Sequence, residues 1–380
     1  MHLSDLGHEI VVVDNLSRRS IEKELKAESL TPISSIEKRI KAWKEVSGKQ
    51  LYFENIDIAE DYEGLLSIFK KYNPDAIVHF AEQRAAPYSM KNSTTKRYTV
   101  RNNTLGTTNL LFAIVELELD VHFVHLGTMG VYGYGQTGRA IIPQGYLKVE
   151  VKGPEGKKEI EIVYPPKAGS VYHNTKVTDH DWFQFVQRND ELRITDLHQG
   201  VVWGTQTPQT MKDERLINRF DYDGDYGTVL NRFLVEAAIG YGLTVHGTGG
   251  QKRAFIHIKD TVRCVEIALN NPPKKGERVM IFNQATETHR IIDLAKKISK
   301  ISGVDIAPIA NPRKEALTNE LEVDNKAFLD LGLNPTTLDV GLMEEIEEIA
   351  KKYKSRIDKT KIPPNSYWTK EREEAVKKAK

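Results

Sequence analysis

Short apolar runs alternate with amphipathic stretches over the first half of the chain, and this alternation predicts an α/β fold. The apolar runs predict strands at residues 9–13, 51–58, 76–80, 121–126 and 193–198. Apolar residues recur at helical spacing in 62–72, in 96–118 and in the stretch that follows Ser170. Strands separated by helices predict a mostly parallel, doubly wound sheet with helices on both faces.

Two stretches interrupt this alternation, and a different pattern follows residue 205. Residues 17–50 are highly charged and predict a helical insertion. A second insertion at 138–168 alternates polar and apolar positions around Gly153-Pro154-Glu155-Gly156, which predicts a β-hairpin. We therefore predict a Rossmann-like domain at 1–205, a smaller mixed lobe at 206–360 with some chain returning to the first domain, and a charged tail at 361–380.

Composition narrows the class of protein. The 380 residues are 39% hydrophobic and 28% charged, with a net charge of +1, so neither nucleic acid nor an anionic membrane is expected as a partner. The single cysteine, Cys264, excludes an internal disulfide, and no apolar run reaches the roughly 18–20 residues that span a bilayer. The first residues lack a signal-peptide pattern, so we expect a cytoplasmic protein. The scattered histidines have no ligand spacing, which predicts no metal site.

The strongest chemical motif is Ser170-Val171-Tyr172-His173-Asn174-Thr175-Lys176. On a helix, Tyr172 and Lys176 lie on one face about a turn apart. A tyrosine with a pKa near ~10 is a poor base at neutral pH, but a nearby ammonium group lowers that pKa. The pair can therefore take a proton from a sugar or alcohol hydroxyl. Two helix residues that share this spacing by chance would be the simpler interpretation if the motif stood alone.

Polar residues follow several predicted strands, at the edge where open α/β sheets bind ligands. An acid after the first strand can accept hydrogen bonds from the ribose hydroxyls of a dinucleotide. A capping or surface role is the alternative for each residue taken alone. The residues are Asp14, Asp57 with Ile58, Gln83 with Arg84, and Thr128.

A glycine-rich phosphate loop should lie about 20 residues before such an acid. The sequence ahead of Asp14 is too short to contain that loop. We interpret this as an N-terminal truncation or a misassigned start, so the sheet would lack its first strand. If the protein begins at Met1, we expect weakened retention of the cofactor.

Three arginines and an asparagine complete the set of candidates. Arg232 and Arg253 suit a nucleotide diphosphate, because a guanidinium group matches phosphate geometry bidentately. A surface salt bridge is an equal alternative for each. Arg18 can meet a phosphate or belong to a solvated charge cluster, and Asn103 can anchor the long helix to the strand before Gln83.

The motif around Tyr172, with Thr128 and Asp14, resembles the extended short-chain dehydrogenase/reductases that act on nucleotide sugars. Within that superfamily four longer stretches resemble the UDP-sulfoquinovose synthases more narrowly. The stretches are Asn15-Leu16-Ser17-Arg18-Arg19, residues 81–90, Gly127-Thr128-Met129-Gly130 and residues 196–205. Ordinary sugar epimerases and dehydratases lack this combination, and the resemblance covers nearly the whole chain.

The resemblance implies that UDP-glucose and sulfite give UDP-6-sulfo-6-deoxyglucose, with NAD reduced and then reoxidised. Tyr172, activated by Lys176 and aided by Thr128, would deprotonate the C4 hydroxyl. Loss of the C5 proton and the C6 hydroxyl, addition of sulfite at C6 and reduction at C4 would follow. His173 would serve the elimination or addition step, although a helix histidine against a packed neighbour is an equal alternative.

The resemblance also implies which residues bind. The cofactor residues would be Asp14, Asn15, Arg18, Asp57, Ile58, Phe80, Ala81, Asn103, Tyr172, Lys176 and Gln199. The substrate residues would be Gln83, Arg84, Thr128, Met129, Gln199, Thr228, Arg232 and Arg253. Fold analogy alone implies a homodimer formed by the helices at 96–118 and 173–190.

Two alternatives stay open. A UDP- or dTDP-sugar 4-epimerase or 4,6-dehydratase uses the same tyrosine and lysine, and dependence on sulfite separates it. A non-catalytic nucleotide-binding protein on the same fold is favoured by the absent glycine loop, whereas the set of Thr128, Tyr172 and Lys176 argues against it. Sulfite itself and a sulfur donor protein are alternative sources of the sulfur, and lipid and glycan are alternative destinations of the sulfosugar.

Overall fold

The computed structural model describes residues 1–133, 141–339 and 341–378. Residues 138–140 of the predicted insertion and 379–380 of the predicted tail lie outside the described residues. The strands are β1 (Ile10–Val13), β2 (Leu51–Glu54), β3 (Ala76–His79), β4 (His122–Thr128), β5 (Ile141–Ile142), β6 (Tyr146–Gly153), β7 (Gly156–Val163), β8 (Arg193–Gln199), β9 (Val201–Trp203), β10 (Leu243–His246), β11 (Lys252–His257), β12 (Met280–Gln284), β13 (Glu287–Arg290), β14 (Ile306–Ile309) and β15 (Glu322–Val323). The helices are α1 (His2–Asp5), α2 (Ser17–Leu25), α3 (Ile36–Ser47), α4 (Tyr62–Tyr72), α5 (Ala86–Met90), α6 (Ser93–Val100), α7 (Gly106–Glu116), α8 (Val171–Asp190), α9 (Val229–Ala238), α10 (Ile258–Asn270), α11 (Ile291–Ser302), α12 (Lys326–Asp330), α13 (Leu342–Lys352) and α14 (Lys370–Lys378).

The central sheet has the strand order β12-β8-β4-β3, and all of its pairs are parallel. β1 and β2 form a separate parallel pair. Because parallel strands end at the same edge, the chain leaves β3, β4 and β8 on one side of the sheet. The predicted α/β class with a mostly parallel sheet is confirmed.

Helices cover both faces of this sheet. Phe123 and Val124 are consecutive on β4 and belong to different hydrophobic clusters, since successive strand residues face opposite sides. Phe123 packs with Phe183 of α8 and the buried faces of α4 and α7. Val124 packs with Cys264 of α10 and with β12 and α12. The cysteine is therefore a core residue.

The C-terminal part builds its own hydrophobic cluster and also returns to the central sheet. The cluster joins α9, α11, α13 and β10 through residues such as Phe233, Leu243, Leu294 and Ile346. The returning element is β12, which pairs in parallel with β8. The predicted boundaries near 205 and 360 stay a prediction.

The hairpin predicted in the second insertion is confirmed. β6 and β7 pair in antiparallel register from Tyr146 opposite Val163 to Gly153 opposite Gly156. In the described ranges no helix is long and apolar enough to cross a membrane.

Two predicted elements differ in detail. The helix predicted at 96–118 starts earlier, at Ser93, where Asn92 and Thr95 form a capping box, and a π-helical segment at Arg101–Leu105 separates α6 from α7. The strand predicted at 51–58 is too long, because β2 ends at Glu54. Asp57 turns the chain there: its Oδ1 accepts a hydrogen bond from Ala59 N at 3.0 Å.

Candidate active site

The first two turns of α8 carry the tyrosine and lysine of the sequence motif to the carboxyl edge of the sheet. Ser170 caps this helix, its Oγ accepting from His173 N at 3.2 Å. The Tyr172 backbone N–H donates to Ser89 Oγ at 3.1 Å, which ties the helix start to α5. Tyr172 is partly exposed, whereas Lys176 is buried one turn later.

The Lys176 ammonium group points beneath the edge of the sheet. It lies 2.7 Å from Glu82 Oε2 and donates to Leu126 O at 2.6 Å. Burial alone would lower the pKa of Lys176, but Glu82 and then Tyr172 outweigh it, so the pKa is raised. Lys176 is therefore an ammonium ion at neutral pH within electrostatic range of Tyr172.

Thr128 ends β4 and starts the next turn. Its Oγ accepts a hydrogen bond from Gly130 N at 3.1 Å. A Cβ on Gly130 would lie 2.2 Å from His173 Cδ2, so only glycine lets the histidine ring come this close. The capping role weighed for Thr128 is thus present, and it leaves the hydroxyl proton available to another acceptor.

His173 is buried against this turn and carries no charge at neutral pH. Burial, with Arg313 and Arg253 nearby, lowers the pKa of His173 to about 3. Its ring centroid is 5.3 Å from that of Tyr172. A neutral imidazole beside the tyrosine can accept a proton.

Two acids meet at the end of β1. Asp14 is exposed directly after that strand, and its Oδ1 accepts from Leu16 N at 2.6 Å. Asn15 Nδ2 donates to Asp57 Oδ2 at 2.9 Å, which brings the loop after β2 alongside. Carboxylate oxygens at this edge have the chemistry that ribose hydroxyls require.

Arg18 and Arg84 converge on an acid that the sequence did not single out. Asp221 Oδ1 lies 3.0 Å from Arg18 Nη2, and Asp221 Oδ2 lies 2.6 Å from Arg84 Nη2. Arg219 adds a third contact at 3.1 Å. The guanidinium of Arg18 also lies 3.9 Å from the ring centroid of Tyr226, and its Nε and Nη1 are buried without a hydrogen bond. The cluster keeps an excess of positive charge at the sheet edge.

Gln83 and Asn103 lock the loop after β3 in place. Asn103 is fully buried; its Nδ2 donates to Gln83 O at 3.0 Å and its Oδ1 accepts from Gln83 N at 2.8 Å. The predicted anchoring role of Asn103 is confirmed. The Gln83 amide bonds Ala85 O and Thr99 Oγ, so both amides lie behind the edge, and their predicted ligand contacts stay predictions.

A second group of arginines lies in the C-terminal lobe. Arg232 Nη2 donates to Thr244 O at 3.0 Å, and Arg253 pairs with Glu315. Arg313, which follows β14, was not among the residues predicted from the sequence. It lies in the same region as Arg253, since both arginines lower the pKa of His173. Thr228 Oγ, at the start of α9, is buried without a hydrogen-bond partner.

The remaining predicted residues have different settings. Phe80 is 50% exposed just after β3, next to the partly exposed Ala81, whereas Ile58 and Met129 are buried in hydrophobic clusters. Gln199 ends β8, and its Nε2 donates to Gln284 Oε1 at 2.9 Å. A cofactor or substrate contact by any of these residues stays a prediction, as does the absence of a metal site.

Comparisons with known proteins identify the family. Residues 1–283 match the model of the NAD dependent epimerase/dehydratase family. The chain is 42% identical over 375 residues to the chloroplastic UDP-sulfoquinovose synthase of Spinacia oleracea, covering 97% of this chain and 76% of that protein. It is 38% identical over 381 residues to the UDP-sulfoquinovose synthase of Sulfolobus acidocaldarius, covering 97% and 94%. The chain belongs to the UDP-sulfoquinovose synthases of this NAD-dependent family.

Solved structures agree on the fold. The UDP-glucose 4-epimerase of Thermotoga maritima with UDP-glucose matches with a TM-score of 0.64 at 20% identity, over 94% of both chains. The UDP-glucose 4-epimerase of Bifidobacterium longum in complex with NAD+ and UDP matches with a TM-score of 0.66 at 17% identity, over 93% of both chains. The matched family is NAD dependent, so NAD is the cofactor of this protein.

Proposed function

We propose that the chain converts UDP-glucose and sulfite to UDP-6-sulfo-6-deoxyglucose. The observation that carries the proposal is the similarity over 97% of this chain to two UDP-sulfoquinovose synthases. The arrangement of Thr128, Tyr172, His173 and Lys176 supports it, because each step of this reaction needs one of these groups.

The cofactor edge fits NAD. Asp14 offers an exposed carboxylate to ribose hydroxyls, with Asn15 and Asp57 beside it. The buried Arg18 donors without hydrogen bonds suit an oxyanion, and the exposed Phe80 ring suits an aromatic base. When bound, NAD supplies the acceptor and later the donor of the C4 hydride.

Tyr172 is the base for the C4 hydroxyl. The Lys176 ammonium group lowers the cost of forming its phenolate. Thr128 already accepts from Gly130 N, so its hydroxyl proton is directed to a substrate oxygen. These two side chains would hold the C4 oxygen between a base and a donor while the hydride leaves.

His173 moves the remaining proton. A ketone at C4 acidifies C5, and the neutral imidazole can accept that proton and pass it to the departing C6 hydroxyl, which leaves as water. Hydrogensulfite then forms the C6–S bond, and its proton returns through His173 to C5. Arg84, 53% exposed after β3, is suited to the incoming anion.

The arginines of the C-terminal lobe would hold the diphosphate. Arg232, Arg253 and Arg313 share one electrostatic neighbourhood, because all three lower the pKa of His246, which burial itself lowers most. The buried Thr228 hydroxyl can add a hydrogen bond. A nucleoside diphosphate there would leave the glucose to reach toward Tyr172.

A homodimer is also proposed. Each of α6, the π segment, α7 and α8 exposes a large apolar residue, as a helix bundle between two copies would need. They are Val100, Leu105, Phe112 and Phe185. Sedimentation should give twice the mass of one chain, and a monomer would contradict this arrangement.

The test is to incubate the protein with UDP-glucose, NAD and sulfite and to measure the product by mass spectrometry. The sulfosugar nucleotide should form, and Tyr172→Phe should lower kcat by about 100-fold or more, the range lost with a general base. Tyr62→Phe removes a hydroxyl that bonds Glu116 on the surface and should leave kcat unchanged. Release of a 4-keto-6-deoxy sugar, whether or not sulfite is present, would identify a dehydratase instead.

A further inference from the structure

Lys176 lies among other buried ionisable side chains, and the reaction above assigns those others no role. We call Glu82, His125, Lys176, Asp179 and Asp196 the buried charge cluster. Glu82 follows β3, His125 and Asp196 lie in the middle of β4 and β8, and Lys176 and Asp179 lie on α8. All five side chains are at most 3% exposed. Burial of so many charges is unfavourable unless they are paired, so the pairing itself carries information.

Glu82 is the centre of this cluster. Its Oε2 lies 2.7 Å from Lys176 Nζ, without the alignment of a regular hydrogen bond. Its Oε1 lies 3.1 Å from His125 Nε2 and 3.4 Å from His79 Nε2. Neighbours on both sides thus fix the carboxylate in position.

His125 connects the two carboxylates of the cluster. Its Nδ1 lies 2.8 Å from Asp196 Oδ1, and its Nε2 faces Glu82 and lies 3.0 Å from Lys176 Nζ. Burial and Lys176 would lower the pKa of His125, but Asp196 and Glu82 raise it. A carboxylate therefore lies at each ring nitrogen, and the Lys176 ammonium group shares the Nε2 side of the ring with Glu82.

Glu82 differs from the other acids of the cluster in its contact with Lys176. Burial and then Glu82 raise the pKa of Asp179 well above its usual range, whereas Asp196 contacts the rings of His125 and His198. Among the residues that the structure describes, Glu82 is the carboxylate within ion-pair distance of the Lys176 ammonium group.

We propose that Glu82 is a positioning residue for oxidation of the sugar: its carboxylate keeps Lys176 in the ammonium form one helical turn from Tyr172, and His125 shares that carboxylate and weakens its hold. The proposal rests on the proposed function, since Tyr172 is taken as the base. The charged and titratable groups that face the Lys176–Glu82 pair are His79 of β3, His125 of β4, Asp196 of β8, and Tyr172 and Asp179 of α8.

The consequence has a definite sign. Without the Glu82 carboxylate, the buried Lys176 ammonium group would lose its ion-pair partner and keep the His125 ring at 3.0 Å. Lys176 would then lose its proton at a lower pH, because the largest favourable interaction of its charged form is gone. A neutral amine does not stabilise the Tyr172 phenolate, so turnover should fail earlier as pH rises.

The experiment is a pH profile of kcat for Glu82→Gln. We expect its alkaline limb to move toward lower pH by about one unit or more, with the KM for UDP-glucose within about twofold of wild type. Glu82→Asp, which keeps the carboxylate, should restore part of the shift. His79→Gln is the matched control: it touches the same carboxylate and is equally buried, but burial lowers the pKa of His79 to about 4, so no charge is lost.

His125→Gln tests the other half and serves if Glu82→Gln does not fold. Removing the ring that shares the Glu82 carboxylate should move the alkaline limb toward higher pH, a direction that loss of structure does not produce. Equal kcat losses at every pH in all variants would overturn the positioning role. The second readout is the 4-keto sugar, which is formed without sulfite and trapped with borodeuteride. If the wild-type protein never forms this sugar, the proposed function is overturned. If the wild-type protein forms it and the pH profile of Glu82→Gln is not shifted, only this inference is overturned.

Discussion

Asp221 offers the sharpest test of how the two halves of the chain are held together. Its buried carboxylate forms ion pairs with Arg18 of α2, with Arg84 after β3 and with Arg219, which lies in the same loop as Asp221. Burial would raise the pKa of Asp221, but Arg84, Arg18 and Arg219 lower it. The substitution Asp221→Asn keeps the shape and removes a negative charge that these three cations share.

The size of the effect follows from exposure. Breaking a buried ion pair costs about 3–5 kcal/mol, whereas an exposed one is worth about 0–1 kcal/mol. Arg84 is half exposed and adds little, and the asparagine still accepts one hydrogen bond, so we expect a loss of about 3 kcal/mol. With an unfolding entropy of about 2.1 cal/mol/K per residue over the whole chain, this lowers Tm by about 4 °C.

Calorimetry at neutral pH measures this shift, and Asp223→Asn is the matched control in the same loop. Burial raises the pKa of Asp223, and its Oδ1 accepts from the backbone of Asp225 and Tyr226, so a neutral amide should be tolerated with no loss or a small gain in Tm. The pKa of Asp221 is depressed, so its contribution is full above the unfolded pKa of about 4 and is lost as pH falls through the folded value. The gap between wild type and Asp221→Asn should therefore close in acid. Equal Tm losses in both variants, or a gap that persists at low pH, would refute the charge argument.

Two further predictions concern the contact between the turn after β4 and the start of α8. Gly130→Ala should destabilise the protein by about 1–3 kcal/mol and lower kcat, because the new Cβ would displace the His173 ring. Gly153→Ala is the control. Its Cβ would have its nearest neighbour at 4.0 Å, so both Tm and kcat should stay unchanged. His173→Gln should lower kcat by the same factor at every pH from 5 to 8, because the pKa of His173 is about 3 and the ring stays neutral over that range. Loss of an acid limb in His173→Gln would show instead that the ring titrates during turnover.

The parts of the site that sequence could predict are those set by local spacing. Tyr172 and Lys176 share a helix face because they are four residues apart, and Ser170 marks the start of that helix as its cap. Asp14 and Thr128 follow apolar runs, so their positions at the ends of β1 and β4 need no long-range information. The π-helical segment before α7 was missed, because a single inserted residue leaves no periodic signal.

The partners of these residues could not be predicted in the same way. Glu82 and Lys176 are far apart in sequence, and a glutamate after a strand is indistinguishable from a surface residue until packing buries it. Asp221 lies in an irregular stretch without periodicity, and so the prediction that Arg18 and Arg84 meet a ligand omitted the carboxylate that orients both.

Asp221 and Glu82 both pair with positively charged side chains, one at the sheet edge and one in the interior. At the sheet edge Asp221 leaves three arginines with charge to spare, which suits anionic substrates that arrive from water. In the interior Glu82 balances Lys176 almost completely, because a surplus cation there would drive the lysine to release its proton. Full neutralisation of the arginines around Asp221 would thus weaken anion binding. Loss of the carboxylate that balances Lys176 would weaken the base. The chemistry of the site depends as much on where its acids are buried as on the tyrosine that reacts.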